Sequence, residues 1–248
     1  MTTKAVRKFL PPQHGAWAML LLPWLAGTII AGFRWLDVPL LLAWLTGYLA
    51  SYYALLSVKT RRPGKVRAQL WLYGTPTVLL GALVLALRPP VLWYAPAYGL
   101  LLAVNVGYAA RREDRALVND LASVVQSCLM VFVCATVAAV PLDTVAVAFA
   151  ALTAYFVGVV LHVKALIRER GNPRYRWASL AYHLAAFVAS VWFGLALAIV
   201  FGLLAVRAWA MAGRKLRPGL AARAFKPGTL GIVEVIASLA LLGALVVS

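Results

Sequence analysis

Apolar runs of membrane-spanning length recur almost from one end of this 248-residue sequence to the other. A helix needs about 20 apolar residues to cross the hydrocarbon core of a bilayer. We predict nine such spans, at residues 15–33, 38–58, 69–87, 91–110, 117–140, 143–166, 177–191, 193–212 and 229–247. Because backbone polar groups in lipid must be paired within their own segment, the fold class is all-α, a polytopic helical bundle over 1–248 as a single membrane domain.

Composition agrees with this interpretation. Hydrophobic residues make up 64% of the chain and charged residues 12%, whereas soluble domains average about 45–50% and about 25%. A soluble enzyme and a nucleic-acid-binding module are therefore excluded as first interpretations, although the net charge is +17. Cys128 and Cys134 lie in one apolar run, and we interpret them as buried small side chains without a disulfide or a metal.

The basic residues specify an orientation. With the N-terminus in the cytoplasm, 22 of the 24 lysines and arginines fall on the cytoplasmic side, and only Arg34 and Arg88 fall outside. This is the positive-inside pattern. It requires the continuous apolar run from Trp177 to Ala212 to be divided into two spans, because eight spans would place the loop around Lys215 outside. The chain is therefore predicted to cross a cell membrane many times.

Several predicted spans carry polar residues at helical spacing toward their cytoplasmic ends. Interhelical hydrogen bonding is the simpler explanation for any one of these stripes. Four stripes that include amides and a histidine also fit a polar cavity open to the cytoplasm, since such groups are costly in lipid. The members that we select as substrate-binding candidates are Asn105, Asn119, Gln126 and His183.

The segment from Arg111 to Asp120 holds three of the seven acidic residues, at the mouth of the fifth span. Asp120 lies within the apolar run, so it needs a partner, a metal or a proton. One interpretation is an acid that interacts with its own helix dipole. The other is a general base or, together with Asn119, a ligand for a hard cation such as Mg²⁺. The sequence identifies no other cofactor.

Cations at the cytoplasmic ends are candidates for holding an anion. Lys59, Arg112, Lys164 and Arg168 are predicted to bind substrate, because lysine supplies a point charge and arginine a two-pronged donor for phosphate oxygens. The alternative is that these residues only set the orientation in the membrane. The spacing around Lys59 is not that of a nucleotide-binding phosphate loop.

Two histidines are candidates for proton transfer. His14 precedes Gly15 where the first span begins, and His162 lies near the end of the sixth span. Either could equally be an interfacial or a packed histidine. Glu234 is the remaining acid in a span, and we interpret it as a first-turn or snorkelling carboxylate.

Three segments carry a family resemblance: Pro-Pro-Gln-His-Gly-Ala-Trp-Ala-Met at 11–19, Arg-Ala-Leu-Val-Asn-Asp-Leu at 115–121 and His-Val-Lys-Ala-Leu-Ile-Arg-Glu-Arg at 162–170. They resemble the YwiC-like family of bacterial integral membrane proteins over essentially the whole chain. The resemblance implies a membrane protein and specifies no reaction.

The architecture also resembles the UbiA superfamily of intramembrane prenyltransferases. That resemblance implies aspartate-rich motifs after the second and sixth helices that bind Mg²⁺ and a prenyl diphosphate. Here the two loops carry the cations of 59–65 and 164–170 instead, and the Asn119–Asp120 pair follows the fourth helix. A phosphate held directly by cations is therefore favoured over Mg²⁺-assisted ionisation.

These observations lead to two functional hypotheses. The first is an intramembrane enzyme, a transferase acting on a phosphorylated or otherwise anionic lipid, such as an isoprenoid or a phospholipid. In that hypothesis the cations hold the anion, Asp120 is the base or metal ligand, and His14 or His162 moves the proton. The alternative is a transporter or lipid-translocating protein that uses the same cavity without making bonds. Membrane lipids are partners in both.

Overall fold

The structure of the chain is a computed structural model that describes residues 9, 14–169, 172–213 and 227–247. For residues 14, 15, 211–213 and 227–232 it describes the backbone only. Every regular element in these ranges is helical. The predicted all-α class is therefore confirmed.

Ten α-helices follow one another along the chain. Their bounds are α1 His14–Ala31, α2 Asp37–Thr60, α3 Arg67–Leu87, α4 Ala95–Ala110, α5 Leu117–Cys128, α6 Met130–Ala138, α7 Ala146–Val163, α8 Pro173–Ser190, α9 Leu195–Gly213 and α10 Pro227–Val247. Short 3₁₀ segments lie at Pro63–Val66, Pro89–Tyr94, Leu142–Val145 and Val191–Phe193, and a π-helical turn spans Lys164–Arg168. Helices α5 and α6 together occupy the predicted fifth span.

The described helices overlap the nine predicted spans, although α8, over the predicted seventh span, is not among the apolar segments that follow. Five segments are long and apolar enough to cross a membrane: Asp37–Thr60, Pro63–Leu87, Pro89–Ala110, Leu117–Ala138 and Leu142–Arg168. Shorter apolar helices lie at Ala16–Ala31, Leu195–Ala210 and Val233–Val247. This is a helical membrane protein.

The division of the long apolar run after Trp177 has a local cause. Helix α8 ends at Ser190, and α9 begins at Leu195 after Gly194, whose φ is 118°. A residue with a Cβ rarely adopts such a φ, so this glycine permits the reversal between two helices. Two spans in this run, as predicted from the charges, are thus supported by the backbone.

The chain divides into two compact units, one up to Ala146 and one from Val147. In the first unit, α1 packs closely on α6. A Cβ built on Gly27 would lie 2.9 Å from the Cβ of Cys134 and 3.1 Å from the Cα of Val131, so only glycine allows this approach. Both Cys128 and Cys134 are free and buried, as predicted.

Helices α2 and α3 form the other large contact of the first unit. The rings of Tyr53 and Tyr73 stack with their centroids 6.0 Å apart, and the Thr77 hydroxyl donates to Oγ1 of Thr46 at 3.0 Å. The Tyr53 ring is buried. The tyrosines of α2 that lead toward Lys59 therefore serve partly as packing between helices.

In the second unit α9 packs against α8 and α10. Two glycines set the spacing in this unit. A Cβ on Gly202 would lie 3.2 Å from the Phe187 ring, and one on Gly158 would lie 3.1 Å from Nε2 of His183. The His183 ring thus lies directly against the α7 backbone.

Candidate functional site

A solvent-accessible cavity of about 400 Å³ lies at the ends of α2 and α4 in the first unit. In the orientation predicted from the charges, this is the cytoplasmic end. Three cations and two acids line the cavity, and the lining residues are Lys59, Arg112, Glu113, Asp114, Arg115 and Ala116. Lys59 and Arg112, two of the predicted substrate-binding residues, both line this cavity, and their binding role stays a prediction.

Lys59 and Asp114 form an ion pair across the cavity between the end of α2 and the loop before α5. The two side chains keep 42% and 34% of their surface exposed. Ion pairs this exposed contribute about 0–1 kcal/mol to stability. The pair therefore stabilises the fold little, and both groups can exchange partners with a ligand.

Arg112 occupies a backbone position that favours glycine. It follows the end of α4 with a φ of 60°, and Arg61 follows the end of α2 with a φ of 54°. A left-handed residue after a helix is usually glycine, and a side chain there costs about 1 kcal/mol.

A chain of amide hydrogen bonds connects the cavity loop to the interior of the first unit. Asn119 Nδ2 donates to the carbonyl of Asp114 at 2.8 Å, and the buried Asn105 donates to Asn119 Oδ1 at 2.8 Å. Asn105 Nδ2 also donates to the Ser123 hydroxyl at 3.2 Å. Asn105 and Asn119 thus have partners in the protein itself and hold the Asp114 loop in place.

We expect Asn105→Leu to loosen this loop. The variant keeps the side-chain volume but leaves the Asn119 oxygen without its donor, and hydrogen bonds between membrane helices average about 0.6 kcal/mol each. The expected loss is about 1 kcal/mol in the free energy of unfolding, together with faster proteolysis at residues 111–116. Ser123→Ala removes the bond from Asn105 and the hydroxyl's own bond to the Asn119 carbonyl, but it leaves the Asn105–Asn119 bond in place and so serves as the control. Equal proteolysis of the Leu variant and the wild type would contradict the role.

The other predicted residues of the first unit lie outside the cavity lining. Asp120 lies in the first turn of α5, and Gln126 is half-buried further along that helix. Among the described residues no three or more His, Cys, Asp or Glu side chains group closely enough to hold a metal ion. A base or Mg²⁺ role for Asp120 stays a prediction. His14 begins α1, and its side chain is outside the described part of the structure.

A second polar cluster lies inside the second unit. Arg207 of α9 donates from Nη1 to Oε1 of Glu234 in α10 at 2.7 Å. The Tyr155 hydroxyl of α7 lies 3.0 Å from Oε2 of Glu234 and 3.1 Å from the Ser238 hydroxyl. Arg207 and Glu234 keep only 14% and 16% of their side-chain surface exposed.

The two predicted histidines of this unit lie together. The rings of His162 and His183 meet edge to face with centroids 5.8 Å apart, and both are buried. Nδ1 of His183 lies 2.7 Å from the carbonyl oxygen of Ser179. A carbonyl only accepts, so Nδ1 carries the proton and, in the neutral ring, Nε2 is an acceptor.

Lys164 and Arg168 begin and end the π-helical turn that follows α7. Lys164 is buried, with 3% of its surface exposed. π-Helical turns inside α-helices are frequent at functional sites. A substrate-binding role for these two cations stays a prediction, as does a single cavity shared by the candidates of both units.

Sequence reasoning missed three residues that the structure brings into these clusters. Asp114 was treated only as part of a charged stretch, Arg207 was counted as a loop charge, and Glu234 was given no partner. A signal existed for the last two, because they are lone charges in successive spans at similar depth. Asp114 offered no such signal, since its partner Lys59 is 55 residues away, near the end of α2.

The comparisons with known proteins agree with the helical membrane architecture. A family model described as YwiC-like protein matches residues 10–135. The chain is 32% identical to the protein YwiC of Bacillus subtilis strain 168 over 233 residues, which are 93% of this chain and 94% of its relative. The chain belongs to the YwiC-like family.

A second relative of this YwiC-like chain comes from Haemophilus influenzae strain Rd. It is 34% identical over 213 residues, which are 82% of this chain and 87% of the relative. No solved structure matches. The predicted family resemblance is therefore confirmed, whereas the resemblance to UbiA prenyltransferases stays a prediction.

Proposed function

We propose that this YwiC-like chain is an intramembrane enzyme, a transferase that acts on a phosphorylated or otherwise anionic lipid at the cytoplasmic face of a bacterial inner membrane. The observation that carries the proposal is the cavity at which Lys59, Arg112 and Arg115 meet. Its place at the end of membrane-spanning helices suits a ligand whose apolar part stays in lipid. A small cavity beside the cations is sufficient at this position, because only the headgroup of the lipid has to fit into it.

The cations are suited to hold a phosphate. Lys59 supplies a compact charge, and Arg112 supplies a planar guanidinium that can donate two parallel hydrogen bonds to phosphate oxygens. In the absence of ligand, Asp114 neutralises Lys59. A phosphate that takes Lys59 would release the Asp114 carboxylate beside the bound headgroup.

The released carboxylate gives the cavity a group for chemistry. A carboxylate within hydrogen-bond reach of an acceptor hydroxyl can take its proton as the hydroxyl oxygen bonds to the lipid carbon that carries the phosphate, and the phosphate leaves with the electron pair of the broken C–O bond. The cations would at the same time stabilise negative charge on the phosphate in the transition state. We therefore propose Asp114 as the first candidate base, with Asp120, His14 and His162 as the candidates predicted from sequence.

The first test compares two arginines in the same backbone conformation. Arg112→Gly and Arg61→Gly each relieve a left-handed residue at a helix end, so both variants should unfold at the wild-type temperature or higher. Only Arg112 lines the cavity. We expect binding of phosphatidic acid or a polyprenyl phosphate in nanodiscs to weaken about tenfold in Arg112→Gly, the loss of one charge-assisted hydrogen bond. Arg61→Gly should bind as the wild type does.

Equal binding by the two variants would contradict the proposed site. The reaction itself is tested by mass spectrometry of lipids incubated with the reconstituted protein. A transferase changes the mass of the lipid and loses that activity in Asp114→Asn. Translocation would leave the lipid masses unchanged and move the lipid to the other leaflet, which a leaflet-specific quencher detects. This outcome would contradict the transferase proposal and favour transport.

A further inference from the structure

The second unit contains a charged group at a depth where charge is expensive. Arg207 lies six residues before the end of α9, and Glu234 lies seven residues after the start of α10. At 1.5 Å per residue this is about 9–10 Å inside the helix ends. Ionisable side chains inside membrane spans usually mark a substrate, ion or proton path.

The guanidinium of Arg207 is only partly satisfied. Its Nη1 donates to Glu234, whereas its Nε and Nη2 are buried and have no hydrogen-bond partner among the described residues. These two nitrogens form one edge of the planar group, the edge that binds carboxylate or phosphate with two parallel hydrogen bonds. An unpaired buried donor loses its hydrogen bonds to water without gaining others, so natural proteins rarely leave one without a water, an ion or a ligand.

The surroundings fix the orientation of that edge. Tyr155 and Ser238 form a hydrogen-bonded set with Glu234, and Glu234 holds Nη1 of Arg207. The guanidinium is thus fixed by its Nη1 contact, while the Nε–Nη2 edge has no hydrogen-bond partner among the described residues. An arginine–carboxylate pair is strongest when two nitrogens of one guanidinium edge donate to the two carboxylate oxygens. Arg207 donates to Glu234 from Nη1 alone, so this pair lacks the geometry that would stabilise the fold most.

We propose that the Nε–Nη2 edge of Arg207 is a second anion site, which binds the carboxylate or phosphate of a ligand within the membrane. Glu234 is the resident counter-ion that orients Arg207 while the site is empty. This site is made of other residues than the Lys59 cavity and does not depend on the transferase proposal.

The experiment uses the full chain in phosphatidylcholine nanodiscs, in the Arg112→Gly background so that the first cavity contributes little. Inorganic phosphate is the free-anion probe, and phosphatidic acid added to the nanodisc is the lipid probe. The readouts are the thermal unfolding midpoint and the bound ligand counted by native mass spectrometry. Stabilisation by phosphate alone identifies a free anion as the ligand, and stabilisation by phosphatidic acid alone identifies a lipid headgroup.

Two variants test the residue assignments. Arg207→Lys keeps the charge but loses the planar edge, so affinity for the effective probe should fall about tenfold or more. Glu234→Gln keeps hydrogen-bonding atoms and removes the competing charge, so affinity should rise about tenfold. The control Arg174→Lys, at an exposed arginine of α8, should leave affinity unchanged.

The proposal is overturned if neither probe shifts the midpoint of the parent protein. It is also overturned if Arg207→Lys binds the effective probe as well as the parent does. If Arg207→Lys fails to fold, Glu234→Gln tests the proposal instead. An anion site on Arg207 requires that this variant bind the effective probe more tightly than the parent does, whereas a purely structural ion pair predicts unchanged affinity.

Discussion

Removing the Glu234 carboxylate is expected to destabilise the protein by about 3–5 kcal/mol, because Glu234→Ala leaves Arg207 as a buried charge without a counter-ion. The Tyr155 hydroxyl also loses its contact with Oε2. The expected loss is large relative to the 5–15 kcal/mol that a typical domain has in total. Unfolding in a mixed micelle of rising dodecyl sulfate content measures it.

A double variant without either charge separates the effect of the unpaired charge from the effect of the lost contacts. Arg207→Met with Glu234→Leu removes both charges and keeps much of the volume, so the double variant should be much more stable than Glu234→Ala and close to the wild type. Asp143→Ala, at an exposed carboxylate, controls for the loss of one negative charge. A double variant as unstable as Glu234→Ala would show that packing, not the buried charge, produces the effect.

Added salts test whether the Arg207 site binds oxyanions in the destabilised Glu234→Ala variant. If the Arg207 edge binds oxyanions, acetate at high concentration should restore part of the stability that Glu234→Ala loses, because it can replace the missing carboxylate. Chloride at equal ionic strength lacks the paired oxygens and should restore less. Equal effects of the two salts would attribute the restoration to screening alone.

The spans were predictable because they depend on length and apolar composition, which are local properties. The predicted break after residue 191 lies within three residues of Gly194, although the run was divided only because it is too long for one span and because eight spans would place the loop around Lys215 outside. Charge asymmetry and backbone conformation are independent properties of the sequence. Their agreement at this position is what makes the nine-span arrangement self-consistent.

The composition of the cavity was only partly predictable. Lys59 and Arg112 were found because cations at helix ends are visible in the sequence. The partner of Lys59 was not, since Asp114 lies in a loop whose path no periodicity describes. For the helical stripes the sequence left hydrogen bonding between helices and a ligand cavity both open, and the structure shows protein partners for Asn105 and Asn119. Spacing along a helix does not show whether an amide contacts its neighbour or a ligand.

The pairing of Arg207 with Glu234 could have been inferred with one further rule. Successive spans are antiparallel, so residues at equal distance from a shared loop lie at similar depth, and lone opposite charges at one depth should pair. Counting Arg207 among the loop charges hid this. The unpaired edge of the guanidinium, in contrast, depends on side-chain geometry and is visible only in the structure.

The contact between α1 and α6 gives the second large expected effect. Gly27→Ala places a Cβ 2.9 Å from the Cys134 Cβ and 3.1 Å from the Val131 Cα, and the latter is backbone that cannot rotate away. Overpacking of this kind costs about 1–3 kcal/mol, against less than about 1 kcal/mol gained from alanine in a helix. We expect a net loss in the free energy of unfolding, measured in the same mixed-micelle titration.

Gly81→Ala in α3 is the matched control, because a Cβ there meets nothing within 4 Å. It should be neutral or slightly stabilising. Adding Cys134→Gly to Gly27→Ala removes the nearest two clashing atoms and leaves only the Val131 contact, so it should recover part of the loss. If Gly27→Ala had the same free energy of unfolding as Gly81→Ala, α1 and α6 would have to lie further apart than the structure places them. The small-residue contact would then not be what joins the two helices.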